Sequence, residues 1–189
     1  MPDGTKKELV GRHKRLAFMN VAETGGASAT YTRMTGFTSL SEGKEPTEYS
    51  RQYVDEATER TDVVGYATAI DYEFDRHTNT PVHERIATIT DDELLGTDAQ
   101  VDIVSVDVFT ANAEGKAIAR KRTYSVIPDT TGDGTDALIY SGSFSAASEI
   151  VKGYAVSEDN WQTCTFTEGE IPEESSLQTQ GIETAGKTE

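Results

Sequence analysis

The sequence predicts a mainly β fold, a β-sandwich or barrel with one flanking α-helix. Glycine, threonine and β-branched residues are plentiful, several segments alternate apolar and polar residues, and long helical runs are absent. Apolar residues make up 35% of the 189 residues, so the core is expected to be thin and association is expected to add stability. The chain divides into an arm (1–11), one domain (12–168) and a flexible acidic tail (169–189), which has almost no aromatic residues.

The first strands are predicted at Lys14–Val21, Thr30–Met34 and Gly36–Leu40, with a turn at Gly25-Gly26. The segment Glu42–Pro46 is predicted to interrupt the strand, because proline cannot donate a hydrogen bond to a neighbouring strand.

A long hairpin is predicted from Tyr49 to Asp75, with its turn near Ala57–Arg60. Its second strand alternates strictly: Ile70, Tyr72 and Phe74 point one way, and Asp71, Glu73 and Asp75 point the other. The first half is mostly polar and has few apolar contacts of its own to offset the entropy cost of ordering. We therefore expect another copy of the protein to contact this hairpin.

One helix is predicted at 81–95. Thr80 is positioned to cap it and Pro81 fits its first turn, while Val82, Ile86 and Ile89 form a narrow apolar stripe. A second short turn is predicted to start after Thr90 and to end at Gly96.

Five further strands are predicted after the helix. In the first of them the alternation slips between Ile103 and Val104, which indicates either a strand buried on both faces or a β-bulge. The five strands are Gln100–Phe109, Ala117–Ile127, Ala137–Ala146, Val151–Val156 and Trp161–Phe166. Cys164 and Trp161 are both expected in the core, and a single cysteine cannot form an intramolecular disulfide, which favours folding in the cytosol.

The net charge of −16 argues against electrostatic binding to nucleic acid or to anionic membranes, which needs clustered lysine and arginine. The charged N-terminus has no apolar run typical of a secretory signal, and no segment is long and apolar enough to span a membrane.

No cofactor, metal or catalytic site is predicted, and the chain is not expected to be an enzyme. The loop Asp129–Asp136 resembles the start of a calcium loop, but its twelfth position is Tyr140 where a carboxylate is needed, so a β-hairpin loop is favoured. The three histidines have no metal-ligand spacing, and the many carboxylates cannot be told from an acidic solvated surface.

The long hairpin and the helix after it carry a family resemblance. RLAFMNV, then YTRMTGFTSLSEGKEPTEYSRQYVDEATERTDVVGYATAIDYEFD, then TPVHERIATITDDELLGTDAQVDIVSVDVF, resemble the tail tube (major tail) proteins of long-tailed, siphovirus-type bacteriophages, in the forms found in phages of Gram-positive hosts. The resemblance covers roughly 12–168 and rests on extended pattern, most of all on the Y-x-D-E…T-D-V-V-G-Y hairpin.

The resemblance implies a structural virion protein that forms hexameric rings, stacked into the tube through which DNA reaches the host. The inner sheets of the six subunits would join into one continuous ring barrel. Implied partners are other copies of the chain, the tape measure, tail terminator and distal tail proteins, and double-stranded DNA in transit only. The implied location is the virion tail, after folding and assembly in the host cytoplasm.

The resemblance also implies roles for particular residues. The hairpin 48–66 would bridge successive rings, and the two termini would be arms or free tails. Inter-ring or inter-subunit contacts are expected at Tyr49, Arg51, Tyr53, Asp55, Glu56, Arg60, Asp62, Arg120 and Arg122. The two arginines could equally be solvent-facing or paired with nearby carboxylates. Asp71, Glu73 and Asp75 are candidates to line the channel, with a solvated outer face as the alternative.

The sequence leaves two other interpretations of the function open. The first is the tube of a phage-derived injection apparatus, whose chain would be almost the same. The second is a β-sandwich that binds carbohydrate or decorates a capsid, which would be monomeric and would offer an exposed aromatic platform.

Overall fold

The computed structural model describes residues 7, 9–22, 30–132 and 134–171. The predicted Gly25-Gly26 turn, most of the N-terminal arm and all but the first three residues of the predicted C-terminal tail lie outside these ranges.

The described chain is mainly β, with nine strands and one α-helix. The strands are β1 Arg15–Met19, β2 Thr30–Arg33, β3 Phe37–Arg51, β4 Arg60–Asp75, β5 Gln100–Asp107, β6 Ala117–Thr131, β7 Ile139–Ala146, β8 Val151–Val156 and β9 Thr163–Glu168; the helix is α1 Pro81–Asp91. The predicted fold class is confirmed. No helix in the described ranges is long and apolar enough to cross a membrane.

All strands belong to one antiparallel sheet in the order β3-β4-β7-β6-β5-β1-β2-β9-β8, and β6 also pairs with β8. The N-terminal half of β6 lies between β5 and β8, whereas its C-terminal half pairs with β7. The circuit β6-β5-β1-β2-β9-β8 therefore closes into a small barrel. The remaining strands, β3, β4 and β7 with the C-terminal half of β6, form a four-stranded sheet that extends from the barrel.

Two apolar cores lie on opposite faces of the central strands. Val101 and Ile103 of β5 pack with α1 and the four-stranded sheet, and Val104 and Val106 pack inside the barrel. The pairing of β5 with β6 runs without a register shift, so the slip in alternation reflects burial on both faces and not a bulge. The first core is built around aromatic residues of β4 and β7, with Phe144 fully buried.

The prediction of a strand interruption at Glu42–Pro46 is wrong. Strand β3 runs without a break from Phe37 to Arg51, and Pro46 stands opposite Tyr66 of β4. Within the described residues β3 pairs with β4 alone, and an edge strand can hold a proline because its missing N–H faces no partner.

The helix is shorter than predicted. It ends at Asp91, four residues before the predicted end, and Gly96 opens a separate 3-10 turn instead of ending a helical one. Thr80 occupies the N-cap position, but its side chain makes no capping hydrogen bond.

Strand β6 continues through Pro128 to Thr131, where the sequence predicted a loop; a register shift between Pro128 and Thr130 accommodates the change. The favoured hairpin interpretation of the following loop is confirmed, since β6 and β7 pair in antiparallel register.

Trp161 precedes β9, in a turn with positive φ, and so does not lie in a strand as predicted. Its ring is half-buried and packs on Phe18, 6.2 Å between centroids. Cys164 is buried as expected, and burial raises the pKa of its thiol to about 12.

Candidate functional site

The long hairpin β3–β4 has a packed half and an exposed half. Ala69–Asp75 of β4 pairs with β7 on the side away from β3, whereas Arg60–Thr68 pairs with β3 only. Strand β7 ends at Ala146, after which the chain leads into β8 and pairs with β6. The distal part of the hairpin, from Gly43 through the tip to Thr68, therefore extends away from β7.

The distal hairpin exposes apolar side chains that a solitary chain would be expected to bury. Of the fourteen large hydrophobic side chains exposed in the described residues, six lie here: Tyr49, Tyr53, Val54, Val63, Val64 and Tyr66. Val54, at the tip, is fully exposed. Exposed apolar side chains gathered in one segment are typical of a contact surface.

The predicted contact residues of the hairpin lie together in this exposed half. The register sets Tyr49 opposite Asp62 and Arg51 opposite Arg60, on one face of the strand pair, so the two arginines are neighbours of like charge. Arg60 pairs with Glu56, and the Arg51 guanidinium donates to the hydroxyl of Tyr49 at 3.0 Å. Tyr53 and Asp55 lie at the tip, where Asp55 is exposed.

Arg120 and Arg122 lie apart from the hairpin tip, on β6, and each has a partner within the chain. Arg120 donates to Asp107 at 2.8 Å, and Asp107 also lies 3.7 Å from Arg15. The Arg122 Nε donates to the carbonyl of Ser148 at 2.6 Å. Both arginines are still partly exposed, so an external contact and the internal pairing are compatible.

One face of the four-stranded sheet carries mostly small polar and acidic side chains. Strand registers align Ser41, Asp71, Ser143 and Ile127 in one row across the sheet. They align Ser39, Glu73, Ser141 and Thr130 in the next. The opposite face carries Ile70, Tyr72, Phe74 and Phe144, all buried in the first core.

This surface, the polar face, holds all three predicted channel carboxylates. Asp71 and Glu73 are exposed and Asp75 is half-buried. The registers place no lysine or arginine in the two rows or in the neighbouring row Gly43, Ala69, Ser145 and Ser125. The carboxylates were visible in the sequence as an alternation; the serines were not singled out, because they come from strands distant in the chain.

The four-stranded sheet has two free borders in the described structure. Strand β3 forms one border along its whole length. The other border is Val126–Thr131 of β6, because β5 reaches only to Ser125. Among the described residues, the Arg12 guanidinium covers part of the β3 border by donating to the carbonyl of Leu40 at 3.3 Å.

No group of three histidine, cysteine, aspartate or glutamate side chains in the described residues is close enough to hold a metal ion. His83, in the first turn of α1, is fully buried. It stacks on Phe74, and its Nε2 donates to the carbonyl of Thr35 at 2.8 Å.

Comparisons with known proteins give structural likenesses only. No protein-family model matches the sequence, and no curated protein matches it. A chain of the anti-feeding prophage (AFP) baseplate, reconstructed with 6-fold symmetry, aligns with a TM-score of 0.47 and 10% identity, covering 77% of this chain and 95% of that chain. A chain from the tail of an empty GTA particle, refined with C6 symmetry, aligns with a TM-score of 0.46 and 9% identity, covering 76% and 98%. At these scores and identities the two likenesses establish neither a family nor a function for this chain.

Proposed function

We propose that this protein is a structural tail protein that assembles into hexameric rings, stacked into a tube for DNA delivery. The two free borders of the four-stranded sheet carry the proposal, because their backbone N–H and C=O groups are available to pair with another copy.

The strand directions fit such a closure. Adjacent strands in β3-β4-β7-β6 are antiparallel, so β3 and β6 run in opposite directions. A copy related by rotation about the tube axis keeps its direction along that axis. Its β3 border would therefore meet the first copy's β6 border in antiparallel orientation, and every copy would make the same contact until the ring closes.

The polar face then becomes the wall of the channel. Six copies of four strands make 24 strands, and at about 4.8 Å between strands and a tilt of about 40° the backbone barrel is about 48 Å across. This is wider than a DNA duplex. Carboxylates repel phosphates, and hydroxyls carry no charge that would attract them. Because the aligned rows contain no lysine or arginine, DNA would slide through the channel without binding.

The distal hairpin would bridge successive rings, and the predicted contact residues Tyr49, Arg51, Tyr53, Asp55, Glu56, Arg60 and Asp62 would lie in this contact, with Arg120 and Arg122 at subunit contacts on β6. Contact with a neighbour would remove its exposed apolar side chains from water, at about 25 cal/mol per Å². The partners would be other copies and the tape measure, tail terminator and distal tail proteins.

Negative-stain microscopy of the concentrated protein tests the assembly. We expect six-fold rings and tubes, and more of them as salt rises from about 50 to 500 mM, because six copies at −16 each carry a formal charge of −96 that salt screens. A compact monomer at every concentration, or tubes that dissociate in moderate salt, would refute the proposal.

A substitution on the β6 border tests ring closure. The N–H of Gly132 donates to the carbonyl of Ile139 at 2.9 Å, towards β7, so the N–H of the preceding Thr131 points to the free border. Thr131→Pro removes that donor at an exposed edge position and should abolish rings while leaving thermal stability nearly unchanged. Thr131→Val keeps the N–H and should assemble like the wild type.

The same tube could serve a phage-derived injection apparatus. The two functions differ in whether DNA passes through the tube. Particles purified from the producing cell would contain DNA-filled capsids only in the phage case.

A further inference from the structure

A crevice lies at the base of the distal hairpin, where the hairpin separates from the body of the protein. It has a volume of about 600 Å³ and is lined by Lys44, Tyr66, Thr68, Arg122, Glu149 and Ile150. The residues come from β3, β4, β6 and the connection between β7 and β8, so the crevice forms because β7 stops at Ala146.

The lining combines cations with exposed apolar side chains. With Lys44, Arg122 and Glu149, the lining of the crevice has a formal charge of +1, whereas the whole chain has a net charge of −16. Lys44 pairs loosely with Glu42, at 3.6 Å. Tyr66 and Ile150 are 62% and 45% exposed. Such a lining suits an acidic segment that also carries an apolar side chain.

The loop between β6 and β7 has this chemistry. In the loop itself Asp136 is exposed and Leu138 is 46% exposed, and the exposed Asp129 lies just before the loop, near the end of β6. The segment 123–151 contains no lysine or arginine, so no cation within that stretch competes for these carboxylates. This is the loop that resembles a calcium site in the sequence and that the proposed channel does not use.

The loop and the crevice lie at different heights along the same sheet. Arg122 and Thr131 are nine residues apart on β6, which is about 30 Å at roughly 3.3 Å per residue. One copy therefore cannot place its own loop in its own crevice. A contact between the loop of one copy and the crevice of another is head-to-tail, and such contacts propagate along an axis.

We propose that the β6–β7 loop of one copy docks in the hairpin-base crevice of a copy in the adjacent ring, with Asp136 near Lys44 and Arg122 and with Leu138 against Tyr66 and Ile150. This inference rests on the proposed function, and it adds a second contact between rings to the one that the distal hairpin makes.

Paired cysteines test the contact. In the double variant Leu138→Cys/Ile150→Cys, oxidation of assembled tubes should give a ladder of covalent oligomers on a non-reducing gel. The ladder should continue beyond six subunits, because contacts between rings do not close. The native Cys164 is buried and should not contribute. Leu138→Cys/Ile118→Cys is the matched control, because Ile118 is 40% exposed but lies outside the crevice, and it should give no ladder.

Each other outcome of the cross-linking overturns the inference. A ladder that stops at six subunits would mean that the contact lies within a ring. Tubes without any ladder would mean that the loop and the crevice do not meet. If the wild-type protein forms no rings at all, the proposed function fails as well, so the two failures are distinguishable.

Charge exchange gives a second test if the cysteine variant does not assemble. Lys44→Glu should reduce the yield of tubes at least tenfold while rings persist. Adding Asp136→Lys to the same chain should restore most of the yield, because every contact then regains an opposite pair. Lys152→Glu, a charge reversal outside the crevice, should leave the yield within twofold of wild type. Equal losses in the single and the double variant would overturn the inference.

Discussion

His83 should make the free energy of unfolding of this protein decrease as pH falls below about 6.5. Its ring is fully buried, stacked on Phe74 at 4.2 Å and edge-on to Phe37 at 5.5 Å. The Nδ1 accepts the backbone N–H of His77 at 3.2 Å, and the Nε2 donates to the carbonyl of Thr35 at 2.8 Å. Both nitrogens are thus satisfied by the neutral ring, and a second ring proton would face an N–H donor.

Burial lowers the pKa of His83, and the charges of His77 and Arg76 lower it further, while the bond to Thr35 partly opposes them. The unfolded chain therefore takes up a proton at this residue before the folded chain does. Above the ordinary histidine value of about 6.5 the residue is neutral in both states and has no effect. As pH falls below about 6.5, the free energy of unfolding decreases, until the folded-state pKa is passed.

One proton changes the free energy of unfolding by at most about 1.4 kcal/mol per pH unit. With a urea m-value of about 2 kcal/mol per M, the unfolding midpoint should fall by up to about 0.7 M urea per pH unit between pH 6.5 and 5. The measurement is urea unfolding of the dilute, unassembled protein at several pH values. The ordinary pKa of a carboxyl side chain, about 4, lies below this window.

His83→Gln is the variant that isolates the effect. Glutamine can donate to Thr35 and accept from His77 but does not titrate. The urea midpoint of this variant should therefore be lower than that of the wild type at pH 7, and it should change less between pH 6.5 and 5. His13→Gln, at an exposed histidine, should keep the wild-type slope. Equal slopes in the wild type and His83→Gln would refute the reasoning.

Three further outcomes follow from the cores and the hairpin. Phe144→Ala removes a fully buried ring that packs 4.5 Å from Tyr72, and should cost about 3–5 kcal/mol in chemical unfolding. Val54→Asp changes a fully exposed tip residue, so the melting temperature should hold within about 2 °C while tubes in micrographs become shorter. Cys164 should react with a thiol reagent only on unfolding, because burial raises its pKa to about 12; fast labelling of the native protein would contradict this burial.

The sequence predicted the strands best where local alternation and core burial agree. In β4, Ile70, Tyr72 and Phe74 are buried and Asp71 and Glu73 are exposed, as the alternation indicates. Errors occurred where a local signal had to be weighed against the position of the strand in the sheet. Local rules predict that Pro46 and Pro128 each interrupt a strand, yet both lie within strands that have a free border. Whether a strand is an edge depends on pairing between distant segments, and one sequence does not reveal it.

The same limit applies to the candidate surfaces. The carboxylates of the polar face follow from one strand, but the serines beside them come from β3 and β7, and only the registers bring them into rows. The crevice at the hairpin base exists because β7 ends before the hairpin does. Its lining comes from four separate segments, so no motif could have predicted it.

The free borders and the acidic polar face constrain each other. Backbone pairing between copies does not depend on the side chains. Each copy carries a net charge of −16, so the copies can pair only if their like charges stay apart at the junction. In the four-stranded sheet, Asp71, Glu73 and Asp75 lie on β4, one strand in from the β3 border. The residues aligned with Asp71 and Glu73 on β3 are Ser41 and Ser39, which are uncharged. Asp71 and Glu73 are thus set back from the β3 border, and moving a carboxylate to Ser41 should weaken ring closure more than adding one at the outward-facing Thr88 of α1.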